Sequence, residues 1–388
     1  MPFVPIASLL PNLELHGRWE LVDASASSNR DVTYIHASWA SASLTFALRS
    51  CKELYTVNLC FGPGTERKDR WNGAIPMLAV AVSFTNSVGL QRVTRTLEPC
   101  VGGTPAIRRL QMWPSVPPVQ VDSDGACEVR ITLIDWASVL EIEGFILEDE
   151  QSLSETKSSG ITHSRILFIG DSISSGLSPD NATIPSLPHG VLDTYTYQCV
   201  AALNESARDD KPEFQAQVVA YPGIALCGEN STGMTEKFFW SSFWDKAPYK
   251  NMSSVASRTK VDSICIALGT NDMVSPATFR SALLAFIPRL ATFEQTANAK
   301  IIFVLSPFID FNDSARDQIA DDLSTNPLPP TLEFASRTIR VVTVPQTAIN
   351  DGLTAGHTLD GLHPTVAGHA LIGRNLARVL REFLTDGL

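Results

Sequence analysis

The sequence predicts an α/β protein built in two parts: an N-terminal β-sandwich of jelly-roll type over residues 1–147, and a three-layer α/β/α domain with a parallel sheet over residues 165–388. Short segments of alternating apolar and polar residues fill the first part, which indicates antiparallel strands. Apolar strand-like runs alternate with helical stretches in the second part, which indicates a parallel sheet. A polar, Ser-rich segment, residues 148–164, separates the two and is predicted to be a linker.

Alternation with a period of two residues is the main feature of the N-terminal part. Leu44, Phe46 and Leu48 alternate with polar or small residues. The same pattern recurs in residues 55–61, 78–84 and 129–133. Many short strands at this spacing are typical of a β-sandwich or jelly roll. We expect this part to be structural and to contribute at most one wall to a binding cleft.

The second part has the pattern of a parallel sheet with helices on both faces. The predicted strands are residues 165–170, 215–221, 262–268, 300–305 and 339–344. The longest predicted helices are residues 192–206, 277–297 and 364–385.

Composition excludes several classes of partner. The net charge of −11 argues against binding to nucleic acid or to an anionic membrane. The chain contains no apolar stretch of 18 residues, so no membrane span is predicted. The seven cysteines are scattered without the spacing of metal ligands, which favours reduced core cysteines and no metal site. The composition favours no particular oligomeric state.

The N-terminal residues do not have the pattern of a signal peptide. Residues 1–11 carry no basic residue, and prolines interrupt their apolar run, so we expect a cytoplasmic protein. The alternative is a secreted protein whose signal has been removed. Five Asn-x-Ser/Thr sequons are compatible with that alternative, at Asn181, Asn204, Asn230, Asn251 and Asn312.

Ser172 stands directly after a predicted buried strand. Residues 165–169 form a short run rich in apolar β-formers, the run ends at Gly170, and Ser172 follows on the turn. Open α/β sheets bind ligands at the carboxyl ends of their strands, so the hydroxyl and backbone N–H of Ser172 can face such a crevice. Asp171 is expected only to hydrogen-bond a nearby loop.

Asp360 and His363 lie three residues apart, just before a stretch with apolar residues at helical spacing that Pro364 can open. This spacing lets the Asp360 carboxylate reach the Nδ1–H of His363, which leaves Nε2 free to accept a serine proton. Asp351, twelve residues before His363, is the alternative acid. The competing interpretation is that Asp360 caps the helix and His363 is a surface residue.

Asn271 and Gly223 follow two other predicted strands. The side-chain amide of Asn271 is a hydrogen-bond donor that suits a developing oxyanion. Gly223 lets the backbone approach a ligand closely and offers its N–H. Taken singly, each could be an ordinary turn residue.

Ser172, Gly223, Asn271 and His363 together resemble the SGNH, or GDSL-type, hydrolases, a family named for these four residue types in this order. The resemblance covers residues 165–388 and is loosest around Gly223. It implies a serine hydrolase in which Ser172 is the nucleophile and Asp360 and His363 complete a catalytic triad. It also implies an oxyanion hole formed by Ser172, Gly223 and Asn271.

A β-sandwich ahead of such a domain is similar to the layout of carbohydrate esterase family two, whose members remove acetyl groups from plant polysaccharides. This implies an esterase that removes O-acyl groups, first of all O-acetyl groups, from a carbohydrate through an acyl-serine and without a cofactor. An esterase or acyltransferase acting on a small-molecule or lipid-like ester is the alternative. A carbohydrate-binding protein with a relic site is the alternative outside the enzymes.

Five aromatic residues crowd into positions 238–244, and Trp240 and Trp244 are the candidates among them for substrate binding. The segment that follows a strand's carboxyl end is well placed to border an active-site crevice. Large aromatic residues are also typical of a core, and here they could fill the interdomain core.

Overall fold

The fold was established from a computed structural model. It describes residues 3–23, 33–48, 56–69, 76–86, 89–97, 107–111, 127–147, 153–154, 163–178, 187–205, 213–228, 233–249, 260–314, 317–334 and 337–384. Within these ranges the chain has a mixed α/β fold with three sheets. None of the helices in these ranges is long and apolar enough to cross a membrane.

In the described residues of the N-terminal part, β-strands predominate, and a short helix, α1 (Ile6–Leu9), is followed by a 3-10 turn, Leu10–Asn12. Its strands are β1 (Phe3–Pro5), β2 (Glu14–His16), β3 (Glu20–Asp23), β4 (Thr33–Ala37), β5 (Ser43–Leu48), β6 (Thr56–Phe61), β7 (Glu66–Arg67), β8 (Leu78–Asn86), β9 (Gly89–Leu97), β10 (Ile107–Gln111), β11 (Cys127–Leu133), β12 (Ser138–Ile146) and β13 (Leu153–Ser154). One sheet has the order β10-β6-β12-β4-β3, and the other has the order β13-β5-β11-β8-β9. Every strand pair in both sheets is antiparallel.

Strand β5 is buried on both faces, which the alternating pattern does not predict. Leu44, Phe46 and Leu48 point into the N-terminal core as expected. The alternate residues of this sheet are small, and one of them, Ala79 on β8, belongs to a second core shared with the C-terminal part. Small side chains therefore let the outer face of the sheet pack against the rest of the protein.

The two parts are joined by polar contacts as well as by this shared core. The Ser41 hydroxyl accepts a hydrogen bond from Val218 N–H on the edge of the C-terminal sheet, at 2.7 Å. Arg18 is buried between the parts, where its Nε donates to Gln295 Oε1 at 3.0 Å. Its guanidinium lies 4.2 Å from the centroid of the Phe238 ring. A buried, always-charged side chain with these partners ties the N-terminal part to the aromatic segment.

The C-terminal part contains the third sheet. Its strands are β14 (His163–Gly170), β15 (Glu213–Ala220), β16 (Ser263–Ala267), β17 (Ile301–Leu305), β18 (Thr331–Phe334) and β19 (Arg337–Val344). The strand order is β15-β14-β16-β17-β19-β18, and every pair is parallel except β18 with β19. Every residue of the central strands β16 and β17 is buried and most are apolar, as a sheet covered on both faces requires.

The helices of the C-terminal part follow the strands along the chain. They are α2 (Ser172–Ser175), α3 (Tyr195–Glu205), α4 (Met234–Lys237), α5 (Pro276–Thr292), α6 (Asp317–Thr325), α7 (Gln346–Ile349) and α8 (Val366–Leu384). Helix α5 ends five residues earlier than predicted, because Phe293 turns to extended backbone and its ring packs against Phe238.

Parts of this arrangement were not predicted. Helix α6 and the edge strand β18 are both short, and neither was expected. Within the predicted linker 148–164, Leu153–Ser154 pairs with β5, and β14 already begins at His163. The other linker residues lie outside the described residues.

Candidate active site

Ser172 is the first residue of α2, and only Asp171 separates it from the end of β14. Asp171 caps the helix by accepting a hydrogen bond from Ile173 N–H at 3.1 Å. A side chain at position 170 would overlap the side chain of Ser174, so only glycine fits at the strand exit. Strand and helix thus hold Ser172 at the carboxyl edge of the sheet.

In the structure, the side chain of His363 contacts both Ser172 and Asp360. Ser172 Oγ lies 3.0 Å from His363 Nε2, and His363 Nδ1 lies 2.7 Å from Asp360 Oδ2. The other oxygen of Asp360 accepts hydrogen bonds from the N–H groups of His363 and Leu362, at 2.8 and 3.0 Å. These two bonds fix the carboxylate, so its free oxygen can only face the imidazole.

The charge state of Asp360 follows from these contacts. Partial burial raises its pKa, but the hydrogen bonds from the His363 and Leu362 N–H groups and from the imidazole outweigh it and lower the pKa. Asp360 is therefore an anion at neutral pH. An anion at this position favours the imidazole tautomer with its proton on Nδ1, which leaves Nε2 to accept the serine proton.

The loop that carries Asp360 is held by residues that sequence reasoning did not single out. The side chain of Asn312 donates to the backbone carbonyl of Asp360 at 2.6 Å, and Phe311 N–H donates to Gly361 O at 2.9 Å. Asp351, the alternative acid, is exposed and pairs instead with Arg378 at 3.3 Å. Asn312 follows strand β17, and this position after a strand of the parallel sheet was the available signal for it.

Asn271 and Asp272 fasten the loop that follows β15. Asn271 Nδ2 donates to Ile224 O at 3.2 Å and lies 3.5 Å from Asp171 Oδ2. The two oxygens of Asp272 accept from the N–H groups of Leu226 and Cys227, both at 2.8 Å. The amide and the carboxylate together hold the stretch that contains Gly223.

Gly223 has a left-handed backbone with φ of +73°, which favours glycine. No atom lies within 4 Å of the position that a side chain would take there, so the space beside it is open. A neighbouring cavity of about 230 Å³ is lined by Pro222, Gly223, Ile224, Ala225, Gly228, Lys237 and Phe243.

Sequence reasoning missed the lining residues Lys237 and Phe243. Trp240 and Trp244 are both half-buried, and neither lines the cavity. Trp244 packs edge-on against Phe243, with the ring centroids 5.8 Å apart. Two ammonium groups lie near the Trp240 ring, with Lys237 Nζ at 5.7 Å and Lys246 Nζ at 5.9 Å from its centroid. The crowded aromatic run was the available signal for the cavity.

The N-terminal part contacts the residue that leads into this loop. The Tyr221 hydroxyl donates to Asp69 Oδ2 at 3.1 Å, and its ring meets Trp136 edge-on at 5.2 Å. Tyr221 also stacks on Phe243, at 3.3 Å between ring centroids, and meets Trp244 edge-on at 5.7 Å. Asp69 and Trp136 therefore hold Tyr221 in place, and Tyr221 in turn packs against the cavity residue Phe243.

Two buried carboxylic acids lie close to the nucleophile. Complete burial raises the pKa of Asp171 to about 6, although hydrogen bonds and the nearby imidazole of His363 lower it. Burial also raises the pKa of Asp272. Asp171 caps helix α2 and Asp272 binds two loop N–H groups, which accounts for their positions without a chemical role. Among the described residues, no group of three or more His, Cys, Asp or Glu side chains is placed to hold a metal ion.

A second histidine, His369, lies on α8 and is completely buried. Its Nδ1 accepts a hydrogen bond from Tyr195 N–H at 3.1 Å, and its ring stacks on the Tyr195 ring. The Tyr195 hydroxyl in turn lies 2.7 Å from Ser174 Oγ, on the helix that carries Ser172. Burial lowers the pKa of His369 to about 3, with a smaller contribution from His363, so its imidazole is neutral.

Comparisons with known proteins show likeness in structure but not in sequence. No protein-family model and no curated protein matches the chain. A family two carbohydrate esterase from Cellvibrio japonicus is 15% identical with a TM-score of 0.61, and the match covers 97% of this chain and 96% of that one. A GDSL-like lipase from Bacteroides ovatus is 15% identical with a TM-score of 0.50, over 89% and 85% of the two chains.

A salicylyl-acyltransferase from a tetracycline biosynthetic pathway is 14% identical with a TM-score of 0.51, over 100% of this chain and 99% of that one. At these identities the likeness establishes the fold alone. The chain therefore has an SGNH/GDSL-type fold in the layout of the family two carbohydrate esterases.

Proposed function

We propose that the protein is a serine esterase that hydrolyses an O-acyl ester, first of all an O-acetyl ester of a carbohydrate. This proposal rests on two contacts of His363: its Nε2 lies 3.0 Å from Ser172 Oγ, and its Nδ1 lies 2.7 Å from Asp360 Oδ2. A nucleophile, a base and a fixed anion at these distances are the parts that acyl transfer through an acyl-serine needs.

The proposed reaction has two steps. His363 Nε2 takes the proton of Ser172 as Oγ attacks the ester carbonyl, and it then gives that proton to the leaving alcohol. In the second step, His363 takes a proton from water as the water oxygen attacks the acyl-serine, and it gives that proton to Ser172 Oγ as the bond from Oγ to the acyl group breaks and the acid leaves. Asp360 stabilises the imidazolium in both steps.

The oxyanion is proposed to be held by the N–H groups of Ser172 and Gly223 and by the side-chain amide of Asn271. One hydrogen of that amide is committed to Ile224 O. The second hydrogen of the amide points to Asp171, and the distance from Asn271 Nδ2 to Asp171 Oδ2 is 3.5 Å, which is long for a hydrogen bond. Donating this hydrogen to an oxyanion would therefore break only a weak contact. The open space beside Gly223 leaves room for the substrate carbonyl.

The domain division belongs to the same proposal: a β-sandwich over 1–147, a linker over 148–164 and a three-layer α/β/α catalytic domain over 165–388. The antiparallel pairing of the first two sheets and the parallel strands of the third support it. The core that both parts share suggests that the β-sandwich is needed for stability.

Carbohydrate is the preferred substrate because the fold resembles that of carbohydrate esterases over nearly the whole chain. An acyltransferase is the second candidate, because the match to the salicylyl-acyltransferase also spans the whole chain and an alcohol can replace water in the second step. Adding a sugar or another alcohol as acceptor distinguishes the two, since a transferase forms a new ester faster than it releases acid.

The test is turnover of 4-nitrophenyl acetate, followed by a panel of longer acyl chains and acetylated sugars. Ser172→Ala should abolish turnover and leave the fold intact, as circular dichroism would show. A correctly folded Ser172→Ala protein with full activity contradicts the mechanism. If the wild type binds sugars and turns over no ester, it is a carbohydrate-binding protein with a relic site.

Trp240 and Trp244 remain proposed substrate-binding residues. Trp244 touches the cavity residue Phe243, and Trp240 is stacked by cations rather than packed in the core. If either binds substrate, its change to Ala raises KM and leaves the melting temperature almost unchanged. A variant that loses several degrees of stability and keeps its KM has lost a packing residue instead.

A further inference from the structure

Lys237 is a cation in the wall of the cavity beside Gly223. Its side chain is half-buried, and Nζ lies 3.4 Å from the centroid of the Phe243 ring, another part of the same wall. The neighbouring carboxylate, Glu236, forms an ion pair with Arg289 at 2.6 Å. Among the described residues, no carboxylate forms an ion pair with Lys237.

The charge at this position is costly without a counterion. Burial lowers the pKa of Lys237, and the nearby ammonium of Lys246 lowers it further. The protein has a net charge of −11 and is therefore rich in carboxylates. Within the described part of the chain, none of them forms an ion pair with Lys237. An anion bound in the cavity would supply the missing partner.

We propose that Lys237 makes this cavity a subsite for a carboxylate carried by the ester substrate, an inference that rests on the proposed esterase function. The backbone of residues 222–225 forms one side of the cavity, so a group bound there lies next to the proposed oxyanion hole. Tyr221 and Lys237 Nζ cover the two faces of the Phe243 ring, so the ring edge is the apolar surface left for the carbon atoms that carry the carboxylate.

Two kinds of ester present this chemistry. The carboxylate can belong to the acyl group, as in a half-ester of a dicarboxylic acid, or to the alcohol, as in an acetylated uronic acid. The position of Lys237 is compatible with both, because the cavity adjoins the carbonyl site from which acyl group and alcohol diverge.

The experiment compares matched charged and neutral esters. For the acyl side, these are 4-nitrophenyl hemisuccinate and its methyl ester. For the alcohol side, they are an acetylated methyl glucuronide and the corresponding acetylated methyl glucoside. The ratio of kcat/KM for the charged ester to that for the neutral ester is measured for wild type, Lys237→Met, Lys237→Arg and Lys246→Met. Lys246→Met is the matched control, because it removes the same charge from the exposed side of the Trp240 indole.

In one of the two pairs, Lys237→Met should lower the ratio by about 10- to 100-fold, the range expected for losing a hydrogen bond between charged groups. Lys237→Arg should restore most of the ratio, and Lys246→Met should change it by less than about threefold, as for a solvent-exposed charge. The pair that responds identifies the source of the carboxylate. An unchanged ratio in Lys237→Met for both pairs overturns the proposal. An equal fall in both lysine variants also overturns it, because that result reports only the general surface potential.

Failure of the esterase function gives a different result. In that case the wild type turns over neither charged nor neutral esters, and the subsite is tested by calorimetric titration with succinate and glucuronate. Binding of either anion that is lost in Lys237→Met supports the subsite without the esterase. Absence of binding to the wild type overturns the subsite as well.

Discussion

The buried His369 makes the stability of the protein depend on pH in a way that can be calculated. Its imidazole is completely buried, and its pKa is lowered from 6.5 to about 3. Below about pH 6.5, His369 is therefore protonated in the unfolded chain but stays neutral in the folded protein. Stability is present in full above that pH and falls as the pH decreases toward 3.

The magnitude follows from the two pKa values. Between about pH 7.5 and about pH 5, proton uptake by the unfolded His369 removes about 2 kcal/mol of unfolding free energy. The result depends little on the folded value, because pH 5 lies well above it. Asp171 acts in the opposite direction: its folded pKa of about 6 lies above the model-peptide value of 3.8, so protonation near pH 5 relieves part of its burial cost.

The substitution His369→Asn isolates the histidine from Asp171, which both proteins retain. The Asn oxygen can accept the Tyr195 N–H in place of Nδ1, and any packing loss is the same at both pH values. Urea unfolding at about pH 7.5 and about pH 5 should show the variant gaining about 2 kcal/mol relative to wild type at the lower pH. His357→Asn controls for the loss of an imidazole that is only partly buried. Equal differences at the two pH values, or the same gain in the control, would refute the reasoning.

The remaining predictions concern catalysis and assembly. Asn271→Ala should lower kcat by about 10²- to 10³-fold, the usual loss of one oxyanion donor, and a loss under about threefold would make it a loop residue. Asp360→Asn should lower kcat because it favours the wrong tautomer, whereas Asp351→Asn should not; the opposite ranking would transfer the acid role. Asn312→Ala should lower kcat more than it raises KM, because the loop of Asp360 loses its anchor, and unchanged kinetics would show that the loop holds itself. Expression of residues 160–388 alone should give an unstable or insoluble protein, and a soluble, fully active fragment would show that the two parts are independent.

Much of the site could be predicted because parallel strands bring the residues at their carboxyl ends to one edge of a sheet. Ser172 and Asn271 each follow a largely buried strand of the parallel sheet, so their neighbourhood depends only on strand order. Asp360 and His363 are three residues apart, and their 2.7 Å contact is a local property of one tight loop. Local spacing and a common sheet edge are both visible in a single sequence.

Other features depend on contacts between distant segments and were not visible there. The two-sided burial of β5 arises because the C-terminal part covers a face lined by small residues. The cavity beside Gly223 exists because Tyr221 stacks on Phe243 and brings Lys237 to the loop after β15. The sequence determined which residue types stand at the strand ends. Only the tertiary structure decided which side chains lie behind and beside them, because packing between segments far apart in the chain leaves no periodic signal in either segment.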